Sequence, residues 1–285
     1  DVIIVGAGSA GNIAALRLSQ MGHDVAVFDM RHDLGDKLCT GIVGRECFDR
    51  FKPDAGMVLH KAKSVRVFSP TGSSYLINRK NPEAYVIDRV AFVSSLASLA
   101  EESGAMFNRG YRVTSVRTTD KTVEISTLSD GVRSKHQGKV LIVANGFGSS
   151  ILKMVCLSPD KSLAYLIGTQ CKVEAEGLEQ TEVYVGSSIA PGAFGLVVPI
   201  SQSLGVAGMA SPDNTNLHMP AFLDRLRKTG KINSIVEEPT SWGIPIESLP
   251  KTYKDRVIVA GDAAGLAKPT TGGGIYYSLL SGEIA

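Results

Sequence analysis

The period of apolar positions changes several times along the chain, and each change predicts an element. Val2 to Val5 is a short β-branched run, which predicts a buried strand. Ala14, Leu16, Leu18 and Met21 then recur at helical spacing until Gly22, and Val25 to Phe28 predicts a second strand. A charged, glycine-rich loop, Arg31 to Gly44, leads to a helix of about two turns over Arg45–Phe51. Two strands within Lys63 to Ile77, joined at Pro70-Thr71-Gly72, and a short strand at Ala84–Ile87 follow. Asp88 stands as the N-cap of a helix that runs to Glu102, with Val90, Phe92, Val93, Leu96 and Leu99 on its apolar side and Gly104 closing it.

Alternation dominates from Ala105 to Val143 and predicts a strand, an antiparallel meander and a fully buried strand at Val140 to Ala144. Leu163 to Ser211 is again mostly β, with turns at Ala190-Pro191-Gly192 and Ser201–Ser203. A helical pattern covers Pro220 to Lys228, and Trp242, Ile244 and Ile246 alternate as one more strand. Arg256 to Ala260 is a strand like the first, and a last helix starts after Gly274. Strands alternating with helices at both ends and a β-rich middle predict a mixed α/β chain. The sequence begins inside its first strand and stops inside a helix, so we expect leading residues and a C-terminal portion beyond it.

Chemistry enters with Gly6, Gly8 and Gly11, which fall between the first strand and its helix. Gly6 permits the tight turn, Gly8 admits a pyrophosphate to the backbone, and Gly11 lets helix and strand pack closely. The helix N-terminus, with Ser9 and Ala10 in its first turn, turns unpaired N–H groups and a positive dipole end toward phosphates. Asp29 ends the second strand, where a carboxylate accepts hydrogen bonds from an adenosine ribose, and Met30 and Arg31 follow it. The acid favours FAD or NAD, and Arg31 keeps NADP open.

Composition narrows the partners. A formal charge of +2 over 285 residues gives no reason to expect nucleic acid. No apolar run approaches the roughly 18 residues of a membrane-spanning helix, which leaves a cytoplasmic protein with peripheral membrane contact open. Cys39, Cys47, Cys156 and Cys171 form no CxxC pair, and the five histidines are scattered, so no metal site is expected. A second strand–glycine–helix dinucleotide unit is also lacking, which disfavours a disulfide-reductase architecture.

The returning strand continues into Gly261-Asp262-Ala263-Ala264-Gly265, then Lys268-Pro269-Thr270-Thr271-Gly272-Gly273-Gly274. Together with GAGSAG, Asp29 and the segment Pro191 to Pro199, this resembles the FAD-dependent oxidoreductases of the para-hydroxybenzoate hydroxylase fold, and among them the geranylgeranyl reductase family. The resemblance implies a Rossmann-like FAD-binding domain, discontinuous over 1–62, 84–160 and 251–285. It implies a mostly antiparallel β-sheet substrate domain over 63–83 and 161–250. It gives Gly6, Gly8 and Gly11 to the pyrophosphate, Asp29 to the ribose, and Gly261 and Asp262 to the ribityl chain or pyrophosphate. Gly272, Gly273 and Gly274 would lie by the isoalloxazine, and Arg89 would reach FAD.

The family's aromatic pattern is only partly kept, since Leu196 and Val198 stand where rings are usual and Phe194 fits. These three and Trp242 are expected to line an apolar pocket. Asn145-Gly146 replaces an aspartate–glycine pair of related hydroxylases. The expected activity is reduction of C=C bonds in an isoprenoid or other lipid-like substrate, with Cys39 and Tyr276 near the reacting bond. Electrons would come from NAD(P)H or a separate carrier protein. A flavin monooxygenase and an FAD electron-transfer dehydrogenase are the alternatives.

Overall fold

The structure is a computed structural model that describes residues 1–35 and 39–285. The chain folds as two compact units. The first comprises Asp1–Asp36, Val90–Ala164 and Pro245–Ala285; the second comprises Lys37–Arg89 and Tyr165–Ile244.

The first unit is built on a sheet in the order Tyr253–Lys254, Val257–Val259, Val140–Val143, Val2–Val5, Val25–Asp29, Met106–Arg109. The four pairings that join the last five of these strands are parallel. Parallel strands need both faces covered, and their continuous apolar runs follow from that. Ile3 and Val5 pack with Phe28, Leu141 and Val143 against Val123 and Ile125 of the antiparallel meander. Ile4 turns the other way, toward the first helix, Ser9–Gln20, where Gly11 lies against it. One strand thereby holds two layers, because successive side chains point to opposite faces.

The helix Arg89–Glu102 buries Phe92, Val93, Leu96, Ala97 and Ala100. Val90 and Leu99, expected on that stripe, are 51% and 46% exposed. The inward face is turned toward the two alanines instead, and alanine permits closer backbone approach than leucine does. Asn12 explains part of the closeness: it is fully buried, and its Nδ2 donates to the Val93 carbonyl at 2.9 Å.

The second unit carries a larger sheet, ordered Ser234–Ile235, Tyr165–Glu174, Leu204–Ser211, Phe194–Pro199, Thr181–Val185, Ser64–Phe68, Ser74–Asn78, with Thr240–Pro245 also paired to Tyr165–Glu174. One face is closed by the helix Thr215–Lys228, whose Met219, Phe222, Leu223 and Leu226 pack on Cys171, Val173, Tyr184, Val197, Ala207 and Met209. This helix begins five residues before the Pro220 start expected from its pattern. Asn214 caps it by accepting from the Asn216 N–H at 3.1 Å, and buried Thr215 bonds Thr169 at 2.5 Å across to the sheet. A proline within the second turn is tolerated here because the first turn is anchored on both sides. Ile42–Gly44, Val58–Ala62 and Ala84–Ile87 form a separate small sheet in this unit.

Candidate functional site

The first helix opens directly behind the first strand, with Gly8 as its N-cap and no side-chain cap. The first backbone bond of the helix runs from the Asn12 N–H to the Gly8 carbonyl at 2.9 Å. The N–H groups of Ser9, Ala10 and Gly11 therefore have no acceptor within the helix. Such a cluster, at the positive end of a helix dipole, is chemically an anion site.

The three glycines of this turn have different surroundings. Gly6 has φ +107° and lies against the Ala144 carbonyl, so only glycine fits there. A Cβ on Gly11 would overlap the Gly6 carbonyl oxygen. A Cβ on Gly8 would meet no atom within 4 Å. The chain thus leaves a cradle at Gly8 that its own atoms do not fill, bordered by free N–H donors. That fits a phosphate-bearing cofactor.

Asp29 sits at the end of the second strand and completes this edge. Its Oδ2 accepts the Ala7 N–H at 2.7 Å and its Oδ1 accepts the Arg31 N–H at 2.9 Å. The carboxylate is held by two backbone donors and still has lone pairs to offer a hydroxyl. Ser9 and Ala10 are buried, whereas Met30 and Arg31 are exposed.

The second glycine-rich segment is brought to the same place by the order of strands, since Val140–Val143 lies between Val2–Val5 and Val257–Val259. The last helix, Ile275–Ile284, docks on the first. A Cβ on Gly282 would overlap the Ala10 carbonyl oxygen, and Arg17 pairs with Glu283 at 2.7 Å. Gly261, at φ +64°, lies beside the Ala10 side chain and donates its N–H to Ser281 Oγ at 2.9 Å. Ala10 therefore spends its side chain on helix packing. Lys268 to Gly273 is a closed loop, held by Lys268 N–H to Gly273 carbonyl at 3.1 Å and Gly272 N–H to Lys268 carbonyl at 2.8 Å. The Asp262 carboxylate stands at the start of the last helix, so that a Cβ on Gly274 would come within 2.9 Å of its Oδ1. Gly273 is exposed, and a Cβ there would meet Thr271 Oγ1 at 3.5 Å, an ordinary contact distance. Tyr276 is half-buried in the first turn of that helix, against Tyr277.

Arg89 opens its helix and belongs to the second unit, as does Cys39. The Cys39 sulfur accepts the Gly41 N–H at 3.4 Å, and Gly41 is itself pinned where its carbonyl takes the Ile87 N–H at 3.0 Å. Cys47 and Cys171 are buried, Cys39 is half-buried and Cys156 is exposed. Among the described residues no cluster of His, Cys, Asp and Glu could hold a metal ion, and no helix is long and apolar enough to cross a membrane.

In the second unit, Phe194, Leu196 and Val198 alternate with Gly195 and Val197. Val197 belongs to the core under the helix, and a Cβ on Gly195 would touch Phe222 of that helix. The three expected pocket residues therefore share the opposite face of the sheet. Trp242 lies on that face too, since a Cβ on Gly168 would meet its Cζ2 at 3.0 Å, and Gly168 is paired with Ala210, the partner of Phe194. Phe194, Leu196 and Trp242 are half-buried and Val198 is fully buried. Sequence reasoning missed Gln170, a buried amide on this same face. The alternation of Gly168, Gln170 and Lys172 against Thr169 and Cys171 was the sign that could have exposed it.

Comparison with known proteins places the family and the fold. Residues 1–157 match the family described as pyridine nucleotide-disulphide oxidoreductase. The digeranylgeranylglycerophospholipid reductase of Methanoculleus marisnigri is 28% identical over 303 residues, which span all of this chain and 75% of that protein. A geranylgeranyl bacteriochlorophyll reductase-like protein from Thermoplasma acidophilum has the same fold, with a TM-score of 0.89 at 23% identity over 99% of this chain and 76% of its own. A flavin-dependent monooxygenase solved with FAD and substrate aligns with a TM-score of 0.77 at 16% identity, over 98% of this chain and 55% of its own. The fold is that of FAD-dependent oxidoreductases. By the span of the family match the chain belongs to the pyridine nucleotide-disulphide oxidoreductases, and its resemblance to the geranylgeranyl reductases holds along its whole length.

Proposed function

We propose that the protein reduces C=C bonds of an isoprenoid or similarly lipid-like substrate. The observation that carries this reading is the single apolar sheet face shared by Phe194, Leu196, Val198 and Trp242. A face of that kind suits a chain with many methyl groups and few polar atoms. FAD, when bound, supplies the hydride. The relatives whose names specify geranylgeranyl substrates support the choice of an isoprenoid.

We assign the cofactor contacts as follows. The N–H groups of Ser9, Ala10 and Gly11 bind the pyrophosphate over Gly6 and Gly8. Asp29 accepts from the adenosine ribose, with Met30 and Arg31 beside it. Gly261 and Asp262 hold the ribityl or pyrophosphate end, and Gly272 to Gly274 give a flat ring access to the backbone. Arg89 adds a cation. Cys39 and Tyr276 stand near the reacting bond, where a thiol or phenol can hold the proton that the second alkene carbon needs. Electrons reach the site from NAD(P)H or from a separate carrier, and the lipid reaches it through peripheral contact with a membrane.

Incubation of the FAD-loaded, reduced protein with a panel of polyprenyl lipids tests this, read by mass spectrometry. A gain of two hydrogens is expected. Stoichiometric consumption of dioxygen with a hydroxylated product would instead establish a monooxygenase. Protein that shows no flavin bands after FAD reconstitution would remove the cofactor assignment altogether.

A further inference from the structure

The apolar sheet face carries a buried polar side chain. Gln170 lies on the strand Tyr165–Glu174, and it is only 7% exposed. Its neighbour Thr169 faces the helix side and bonds Thr215 and Ser241, so Gln170 faces away, with Gly168 and Lys172. The cross-strand row runs from Gln170 to Gly208 to Leu196 to Val183. Gly208 has no side chain to cover the amide stem, and a Cβ there would press on the Gln170 Cβ at 3.2 Å. One step along the same face, Trp242 and Ile244 close over Gly168. Among the described residues, Gln170 Oε1 is buried and has no hydrogen-bond partner.

A buried amide oxygen in apolar surroundings without a partner is unfavourable, and such groups are usually completed by something that binds. Asn12 Oδ1, Ser19 Oγ and Ser149 Oγ are also buried without a partner among the described residues, but none of them lies on this face. Glu182 is paired with Lys231 Nζ and the Tyr184 hydroxyl, both at 2.5 Å, and Asn12 ties two helices together. Among the buried polar side chains of the described residues, Gln170 is the one on the face assigned above to substrate.

We infer that Gln170 is a specificity-determining residue that hydrogen-bonds a hydroxyl of the substrate, so that the protein prefers an isoprenoid carrying a free hydroxyl over the bare hydrocarbon. This rests on the reading of that face as the isoprenoid site. The bare amide oxygen needs a donor, and a hydroxyl can also accept if the amide turns its nitrogen inward. An ionised phosphate offers no donor. Lys172, the cation on the same face, is engaged by Glu237 at 2.7 Å.

Trp242 is the single tryptophan of the chain and lies on this face, so its fluorescence reports occupancy without turnover. FAD-loaded protein is titrated with geranylgeraniol and with the corresponding hydrocarbon. The alcohol is expected to bind about tenfold more tightly, the worth of one hydrogen bond with a group otherwise left unpaired. Gln170→Leu should bring the two affinities together while its melting temperature stays at or above that of the wild type, and Gln170→Met provides a second apolar replacement of similar length. Equal affinities in the wild type, or a preference kept in both variants, would overturn the role of Gln170 and leave the isoprenoid face standing. No change in Trp242 emission with either ligand would overturn the face as well.

Discussion

The starts of the first and last helices use glycine for two different purposes, and the atoms that surround each glycine separate them. At the first helix the two purposes lie three residues apart: Gly8 faces open space, and Gly11 faces the Gly6 carbonyl. At the last helix they are spread wider, with exposed Gly273 before the helix and Gly282 against the Ala10 carbonyl two turns inside it. Gly11 and Gly282 therefore bring protein to protein, whereas Gly8 and Gly273 leave room for something else. The first end is a short, self-contained motif. The second works only because Gly282 lets the last helix lie on the first.

The largest effects should come from the packing pair. Gly11→Val and Gly282→Val each place a side chain inside a backbone carbonyl, which cannot move aside as a flexible side chain would. Overpacking of this kind costs about 3 kcal/mol or more. Both variants are expected to melt roughly 6–12 °C lower or to fail to fold, with loss of FAD as a consequence. Near-wild-type thermal unfolding of either would show that these glycines are not contact points between elements.

Gly8→Val is the complementary break. The apoprotein should lose only about 1 kcal/mol, because valine is a poorer N-cap than glycine. FAD affinity should fall by about 100-fold or more, because the side chain fills the cradle beside the free N–H groups. Gel filtration for retained flavin and melting of the apoprotein separate the two quantities. Retained flavin would mean that the pyrophosphate lies elsewhere. Gly273→Ala applies the same test to the second end with a smaller expected effect, about tenfold in FAD affinity and almost none in apoprotein stability. A destabilised apoprotein there would reclassify Gly273 with Gly282.

This contrast also explains what could be read beforehand. The first end was legible because strand, turn, helix and acid are contiguous, so spacing alone carries the geometry. The alternation of Phe194, Leu196 and Val198 was legible for the same reason, as a period of two within one strand. Contacts across the chain were not. Gly282 sits in an ordinary-looking apolar helix, and nothing local shows that Ala10 lies opposite it. Val90 and Leu99 were expected inward by hydrophobicity, but the helix turned Ala97 and Ala100 inward to suit its neighbours. Gln170 was hidden in the buried middle of its strand, where an amide reads as an exception until its lack of a partner is seen.

The two ends also differ in their sensitivity to acid, and this is the smallest effect expected. The strand that leads to Asp29 carries Phe28, whose ring lies 4.5 Å from His136, with Tyr111 at the edge of both. Burial holds His136 below its ordinary value of 6.5. In the unfolded chain the imidazole takes up a proton near that value, but in the folded chain it resists until lower pH. The unfolded state therefore binds more protons in that interval, and stability is complete above about pH 6.5 and declines as pH falls below it. No histidine occurs from 245 to 285, so the second end lacks this support. Between pH 7 and pH 5, hydrogen exchange corrected for its intrinsic pH dependence should show protection falling at Val25–Asp29 while Val257–Val259 holds. His136→Phe should flatten the difference, since it keeps a ring against Phe28 and removes the titrating group. Equal loss of protection in both strands, or an unchanged profile in the variant, would mean that the two ends respond to acid as one body and that His136 does not set them apart.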